Sequence, residues 1–267
     1  MISQTFITNP MLCNFTINPT TFSDFLVLIS LRYFLLAGFA FFICYVWLRK
    51  KITYAKIQPA FPKAADYRRE LLNSLTTVII FALVPSLLLL TPLRQYTQFY
   101  TGAYSLGKGY FWFIFPVIFL IHDTYFYFIH RLMHHPRLFN FFHLTHHRST
   151  NPSPWAAFAF SIPEAILEAG IVVVLLFCIP LCKWHLFVFF LVLMIYNVYG
   201  HLGWELYPKG FSKNFIGKWI NTSVNHNLHH RYFKGNYGLY FLWWDRWLGT
   251  IRNDYDEQFE EVKNRIK

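Results

Sequence analysis

Residues 110–134 have the sequence YFWFIFPVIFLIHDTYFYFIHRLMH, an apolar run that passes directly into a pair of histidines. The apolar part, 110–129, is long enough for a helix to cross the hydrocarbon core of a bilayer. If the helix continues, His130 and His134 lie one turn apart on the same face. Neutral imidazole is the commonest side-chain metal ligand. The stretch therefore predicts a membrane-spanning helix that ends in metal ligands.

Other apolar segments flank this run. The predicted spans are 25–48, 71–93, 110–129 and a hairpin with arms 166–182 and 184–200. Arg32 is expected to snorkel near the start of the first span, and Pro85 to kink the second. We therefore expect an all-α fold: a polytopic transmembrane helical bundle of about four to five spans. A cytosolic helical cap is expected to carry the histidine-rich metal site.

The composition supports a membrane protein, because 55% of the residues are hydrophobic, 21% aromatic and only 14% charged. Soluble domains carry about 25% charged residues. The formal net charge of +11 does not indicate nucleic-acid binding, since the basic residues cluster beside apolar segments. The cluster between the first two spans consists of Arg49, Lys50, Lys51, Lys56, Lys63, Arg68 and Arg69.

The basic loop 49–70 should be cytosolic by the positive-inside rule. If the spans are counted from this loop, every histidine motif emerges on the same cytosolic face. We expect a single membrane-embedded domain, 1–267. Within it, 1–109 holds the first spans and the basic loop, 110–252 the catalytic region, and 253–267 a polar tail.

Nine histidines fall into recurring motifs, HxxxH and two copies of HxxHH, with one further histidine before the last motif. Neighbouring histidines on one helix diverge by about 100°, so an HH pair can serve two metal ions. So many ligands exceed the needs of one ion and suggest two. The predicted metal ligands are His130, His134, His143, His146, His147, His201, His226, His229 and His230.

Imidazole suits zinc, copper, iron and nickel alike, so the ligand type does not identify the metal. No thiolate motif or HExxH motif is present, which argues against a zinc ribbon, an iron–sulfur cluster or a zincin protease. His122 is expected to be packed or hydrogen-bonded, and His135 and His185 to be bystanders. Glu164 and Glu168, one turn apart, are either functional or mark the point where a helix leaves the interface.

Several segments resemble the fatty acid hydroxylase / sterol desaturase superfamily. Besides the histidine motifs, the similar segments are 123–131 (DTYFYFIHR), 151–155 (NPSPW), 236–238 (NYG), 244–246 (WDR) and 249–250 (GT). The resemblance covers residues 110–252. It implies a helical membrane fold with a cytosolic site for two iron ions, a non-haem di-iron oxidase. It also implies lipid substrates, O2 and a separate electron-transfer protein as the donor.

The resemblance also bears on four other side chains, which are predicted to support the site. Asp123 lies about 10 Å deeper than His130, too deep to share its metal, and is expected to position a ring or line the substrate pocket. Glu205 stands where some relatives have histidine and could ligate, bridge or orient a ring, or lie at the surface. Tyr237 and Asp245 could hold ligand rings through hydrogen bonds. Asn225 replaces a histidine of many relatives.

The sequence thus favours an oxidoreductase that hydroxylates or desaturates a sterol or fatty acyl chain. The expected location is a bacterial inner membrane or the endoplasmic reticulum. A basic surface on the cap could dock an acidic electron donor or anionic lipid headgroups. Two alternatives remain: a histidine-liganded metal transporter or sensor, and a zinc-stabilised membrane scaffold without activity.

Overall fold

Four long apolar helices organise the computed structural model, which describes residues 19–265. Each is long and apolar enough to cross a membrane: Phe22–Trp47, Ala64–Leu89, Lys108–Met133 and Lys183–Gly200. Isolated β-bridges occur, but residues 19–265 form no strand. In chain order, the α-helices are α1 (Phe22–Phe41, continued by a π-helix at Phe42–Trp47), α2 (Arg49–Ile52), α3 (Ala64–Leu89), α4 (Lys108–Met133), α5 (Phe139–Phe142), α6 (Leu144–His147), α7 (Ile162–Cys178), α8 (Lys183–Gly200), α9 (Ser223–Tyr232), α10 (Trp243–Trp247) and α11 (Tyr255–Asn264).

The predicted all-helical membrane bundle is confirmed, but two helices begin four or more residues earlier than the sequence predicted. Helix α3 begins at Ala64 instead of 71, because the Asp66 side chain accepts from the backbone N–H of Lys63 and caps the first turn. Helix α7 begins at Ile162 instead of 166, because the Ser161 hydroxyl accepts from a first-turn N–H. With 17 residues, α7 is at the lower length limit for a span, about 17 residues.

The centre of the bundle is held by a buried loop that enters between α1, α3 and α8. Its 3-10 turn, Pro154–Phe158, contains two fully buried alanines. The Tyr33 hydroxyl donates to the Trp155 carbonyl at 2.8 Å, and Asn197 Nδ2 donates to the Ala157 carbonyl at 2.8 Å. Buried backbone acceptors are costly unless paired. The helices therefore supply the partners that the loop needs.

The connections at the two ends of the bundle differ in what they contain. At one end the α3–α4 connection meets the α7–α8 connection, where Tyr100 N donates to the Leu181 carbonyl at 2.9 Å. At the other end the basic loop meets the histidine-rich segments, and Gln58 Nε2 donates to Asn227 Oδ1 at 2.9 Å. The basic loop and all the histidine motifs thus lie at the same end of the bundle.

The segment predicted as a polar tail contains helix α11. Helix α11 buries Tyr255, Phe259 and Val262, which lie on one face because they are spaced four and three residues apart. They pack in a cluster with Val224 and Leu228 of α9. The charged residues between them fill the other face, so the segment is amphipathic and α11 forms part of the cap.

Candidate metal centre

The nine predicted ligands converge in two groups. Within each group, one ligand atom from every residue lies within 4.8 Å of those of all the others. All the rings are buried except that of His134, which is partly exposed. The five-histidine group is His130, His134, His143, His147 and His229, and the four-histidine group is His146, His201, His226 and His230.

Helix geometry explains how two neighbouring residues reach different groups. His146 and His147 belong to different groups, as do His229 and His230. Adjacent residues of a helix point about 100° apart, so each pair straddles the space between the two sites. His226 and His230, four residues apart, return to the same face and the same group. Helix α9 therefore supplies both groups from its two faces.

Five of the rings are oriented through the nitrogen that faces away from the cluster. An acceptor oxygen lies within 3.0 Å of Nδ1 in each case. Such acceptors orient most metal-binding histidines. A carbonyl oxygen only accepts, so Nδ1 carries the hydrogen and the Nε2 lone pair faces the cluster. The pairs are His130 with the Tyr237 carbonyl, His143 with the Glu164 carboxylate, His201 with the Asn197 carbonyl, His229 with the Gly235 carbonyl and His230 with the Ser149 carbonyl.

The resulting contacts between Nε2 atoms are those that a bound cation would stabilise. Nε2 of His201 lies 3.1 Å from Nε2 of His230. Both atoms carry lone pairs, because the hydrogen of each ring is on Nδ1. The Nε2 atom of His226 lies 3.1 Å from each of them, which closes a triangle. An ion about 2.1 Å from each nitrogen, with ligands at right angles, sets the nitrogens about 3.0 Å apart. The four-histidine group therefore fits a metal ion.

The ligand nitrogens of the five-histidine group also point to a bound cation. The Nε2 atoms of His130, His134 and His143 are buried and have no hydrogen-bond partner among residues 19–265. Nε2 of His147 lies 3.1 Å from Nε2 of His229. Buried polar atoms normally have a partner. A bound cation would satisfy all five nitrogens at once, so this group also fits a metal ion.

Burial keeps the imidazoles outside the spans in the neutral form that binds metal. Desolvation lowers the pKa of His201 to about 4, although its hydrogen bond to Asn197 opposes the shift. Desolvation, reinforced by neighbouring imidazoles, holds the pKa values of His226 and His230 well below the ordinary value. Near neutral pH these rings therefore have lone pairs available for a cation.

Glu164 is the carboxylate that contacts a predicted ligand. Its Oε1 lies 2.6 Å from Nδ1 of His143, and both side chains are almost completely buried. Glu168, one turn further along α7, lines the adjacent cavity. Of the two sequence interpretations, the structure therefore favours a functional one for Glu164, which is buried at the cluster.

Tyr237 and Asp245 support the five-histidine group indirectly. Asp245 accepts from the backbone N–H groups of Tyr237 at 2.9 Å and Gly238 at 2.7 Å. This fixes the Tyr237 carbonyl, which accepts from His130. The Tyr237 ring itself packs against His134, with centroids 5.1 Å apart. The hydrogen bond to a ligand therefore comes from the backbone of Tyr237, whereas the sequence suggested the two side chains.

Asp123 and Glu205 hold backbone segments and belong to neither metal group. Asp123 accepts from the backbone N–H of Tyr240 at 2.8 Å. Glu205 is buried, which excludes the surface position considered above, and accepts from the N–H of Val224 at 3.0 Å in the first turn of α9. It also accepts from the Tyr199 hydroxyl. Glu205 thereby orients the helix that carries three ligands.

The remaining histidines lie outside both groups. His122 Nδ1 is 3.0 Å from the Tyr240 hydroxyl, the packed arrangement that the sequence suggested. His185 is buried between the backbone of Cys182 and that of Phe111. His135 is exposed.

An apolar cavity of about 750 Å³ opens onto the histidines. Its walls come from several helices, with Phe81 and Leu89 on α3 and Val172 on α7. At its cluster end it is lined by His130, His143, His146, His201 and His226. Both groups therefore face one cavity that could hold an apolar molecule.

Sequence reasoning missed the backbone acceptors. The carbonyls of Asn197, Gly235 and Ser149 each orient a ring, but any residue type can supply a carbonyl. Gly200 was also missed: a Cβ atom there would lie 3.2 Å from Cδ2 of His226. A glycine directly before His201 was the available signal, because glycine permits close approach.

Comparison with known proteins connects this site to characterised enzymes. The model of the family described as fatty acid hydroxylase matches residues 115–250. A Delta(7)-sterol 5(6)-desaturase of Gibberella zeae is 30% identical over 186 residues, covering 69% of this chain and 56% of the relative. Methylsterol monooxygenase 1 of Danio rerio is 33% identical over 144 residues, covering 53% of this chain and 46% of the relative.

The matched region does not extend over the whole of these relatives. The chain spans between 46% and 62% of the length of the first three sterol desaturases that it matches. A search of solved structures found no match.

Proposed function

Because the chain belongs to the fatty acid hydroxylase family, we propose that it is a membrane-bound oxidase that uses O2 to hydroxylate or desaturate a lipid. The two histidine groups would hold two iron ions, one in each group. A pair of iron ions bound there would supply the O2 chemistry needed to attack an unactivated C–H bond.

The protein itself contributes ligand geometry. Carbonyl and carboxylate acceptors keep the Nδ1 atoms protonated, which leaves the Nε2 lone pairs directed at the metal positions. When ionised, Glu164 places negative charge beside His143, which would raise the basicity of that ring. Because helix α9 serves both groups, any change in its position would disturb both.

The cavity supports a lipid substrate. Its apolar walls would hold a hydrocarbon segment by burial and keep water away from the reacting carbon. The relatives described above act on sterols according to their names, so we favour a sterol, with a fatty acyl chain as the second candidate.

An external electron donor follows from the stoichiometry. Hydroxylation and desaturation each remove two electrons from the lipid, whereas full reduction of the two oxygen atoms takes four, so a donor must supply the other two. The cap offers a basic surface on which a small acidic electron-transfer protein could dock. Its exposed members are Lys209, Lys213, Arg231 and Lys234, with Lys218 partly exposed.

We propose that the histidine end of the bundle faces the cytosol. The basic residues between α1 and α3 lie at this end, and positive charge favours the cytosolic side. The eukaryotic sterol enzymes among the relatives favour the endoplasmic reticulum, and a bacterial inner membrane is the alternative.

The observation that carries the proposal is the 3.1 Å triangle of Nε2 atoms in the four-histidine group. The test uses the purified full-length protein and two variants, His146→Ala and His229→Ala, one for each group. Bound iron is measured by elemental analysis, and lipids from expressing cells are compared by mass spectrometry. Each variant should lose about one iron ion per chain and all of its product, because even groups that only support a ligand are worth about 10–100-fold.

His135→Ala is the matched control, because His135 is exposed and lies outside both groups. It should retain wild-type iron and product. A wild-type protein that binds zinc and changes no lipid would overturn the proposal, and so would full activity in both ligand variants.

A further inference from the structure

Arg32 is a charged residue in the middle of a membrane-spanning helix. It lies ten residues from Phe22 and fifteen from Trp47, the two ends of the first span. At 1.5 Å per residue, these separations are about 15 and 22 Å. An arginine side chain cannot cover either distance, so the guanidinium does not reach an end of the helix.

The side chain faces the cavity. Four residues of α1 line the cavity wall, namely Phe25, Leu28, Ile29 and Arg32. Their spacing of three, four and seven residues places them on one face of the helix. On α8, Phe190 also lines the cavity, and Cζ of Arg32 lies 5.0 Å from the centre of its ring. The guanidinium is therefore inside the bundle, against the wall of the substrate cavity.

Arg32 has no acceptor for its hydrogens among residues 19–265. It takes part in no hydrogen bond or ion pair there, and its buried Nε atom has no partner. The contact with Phe190 stabilises the charge but accepts no conventional hydrogen bond. Intramembrane charges are costly, face the protein interior or a cavity, and commonly mark substrate or ion pathways. An oxygen atom of a ligand in the cavity would meet this requirement.

We propose that Arg32 binds the polar oxygen of the lipid substrate, so that the apolar remainder extends towards the histidines. The identification of this ligand as a substrate rests on the proposed function. The recognised chemistry is a hydrogen-bond-accepting oxygen at one end of a hydrocarbon. It could be the hydroxyl of a sterol or the carboxylate of a fatty acid. The guanidinium fork can hold a carboxylate through two parallel hydrogen bonds.

The position of Arg32 also determines which part of the lipid reaches the metal centre. One stripe of α8 lines the cavity through Phe190, Met194, Asn197 and His201. Eleven residues separate Phe190 from His201, which is about 16 Å along the helix. Both side chains lean towards the N-terminus of the helix, so their separation along its axis stays at about 16 Å. The oxidised carbon should therefore lie on the order of 15 Å from the bound oxygen.

The binding test uses two fluorescent probes and the purified full-length protein in detergent. Dehydroergosterol carries a hydroxyl, and cis-parinarate carries a carboxylate. Each is compared with an analogue of the same hydrocarbon that lacks the oxygen, and binding is followed by energy transfer from tryptophan. Partition into detergent is the same for every variant, so differences between variants report binding to the protein.

Wild-type protein should bind one oxygenated probe at least tenfold more tightly than its deoxygenated analogue. Arg32→Met should abolish this preference and leave binding of the analogue unchanged. The control is Arg49→Met, since Arg49 also lies over an aromatic ring, Phe61, but is exposed and outside the cavity. It should keep the wild-type preference. The probe that shows the preference identifies the sterol or the fatty acid as the source of the oxygen.

Arg32→Lys provides a second variant if Arg32→Met does not fold. Lysine keeps the charge but lacks the planar fork, so the preference should fall at least threefold. Absence of any preference in the wild type would overturn the assignment. An undiminished preference in Arg32→Met, or in Arg32→Lys when Arg32→Met does not fold, would do the same.

Product analysis tests the distance independently. Fragmentation of the oxidised lipid should place the new oxygen or double bond far from the polar end. Oxidation beside the polar oxygen would contradict the assignment. Failure of the proposed function is distinguishable, because a protein that oxidises no lipid could still show the probe preference and its dependence on Arg32.

Discussion

The five-histidine group and the four-histidine group share helix α9 and the 143–147 motif, but they differ in how their rings are held. In the first group three rings are oriented through Nδ1, and one of the acceptors is the carboxylate of Glu164. In the second group two rings are oriented, both by backbone carbonyls. The first group also has one more ligand. Its site should therefore tolerate the loss of His134, its one partly exposed ring, better than the loss of a buried ring such as His229, whereas the second site should tolerate no loss.

Removing one ring from each group should give the largest contrast. His201→Ala leaves three ligands in its group, whereas His134→Ala leaves four. We expect His201→Ala to lose the metal of its group and more than about 100-fold of the activity. This loss is larger than the one expected when a residue that only supports a ligand is replaced. His134→Ala should keep both ions and lose less. Elemental analysis and product formation measure the two effects, and equal losses in both variants would remove the proposed asymmetry.

Replacing the carboxylate partner of His143 should have the next largest effect. Glu164→Gln keeps an oxygen that can accept from Nδ1 but removes the negative charge. Metal affinity at the five-histidine group should fall about 10–100-fold. Competition with a chelator measures this affinity. Glu168→Gln is the control, because Glu168 contacts neither group directly, and an equal loss there would indicate a general effect of charge on α7.

Asp245→Asn should have a smaller effect through the backbone of Tyr237. Asp245 accepts from two N–H groups and from the Thr250 hydroxyl, and an amide cannot accept with both ends. The unpaired donor should destabilise this loop by about 1–3 kcal/mol.

Thermal unfolding should show the loss of stability. Chelator competition should show weaker metal binding at the five-histidine group and unchanged binding at the four-histidine group. Asp254→Asn provides a comparison, since Asp254 is partly exposed and pairs with Arg252. A change of metal affinity at both groups in Asp245→Asn would mean that the loop acts on the whole cap.

Gly200→Ala should produce the smallest effect, confined to the four-histidine group. The new Cβ would lie 3.2 Å from Cδ2 of His226, so the ring must shift by a few tenths of an ångström. A displaced rotamer costs about 0.5–1.5 kcal/mol, which should weaken metal binding severalfold. Gly109→Ala is the control, because nothing lies within 4 Å of its added Cβ. Unchanged metal binding in Gly200→Ala would show that His226 has room to move.

The membrane helices were predictable from the sequence, but their first turns were not. Apolar runs located all the long helices, since crossing a bilayer requires a continuous apolar segment. The polar first turn of α3 looked like loop, because helix starts depend on capping contacts and not on hydropathy. The burial of α11 was missed for a related reason: its three apolar residues acquire meaning only when α9 lies beside them.

The sequence alone determined the fold class and the identity of the nine candidate ligands, because apolar length and histidine spacing are local properties of the chain. Only the tertiary structure decided how these ligands divide between two groups and which atoms orient them. That division depends on where four separate segments meet. The tertiary structure also placed Arg32 against the cavity and Glu164 in contact with His143. Contacts between residues distant in sequence arise from packing, which no local pattern records.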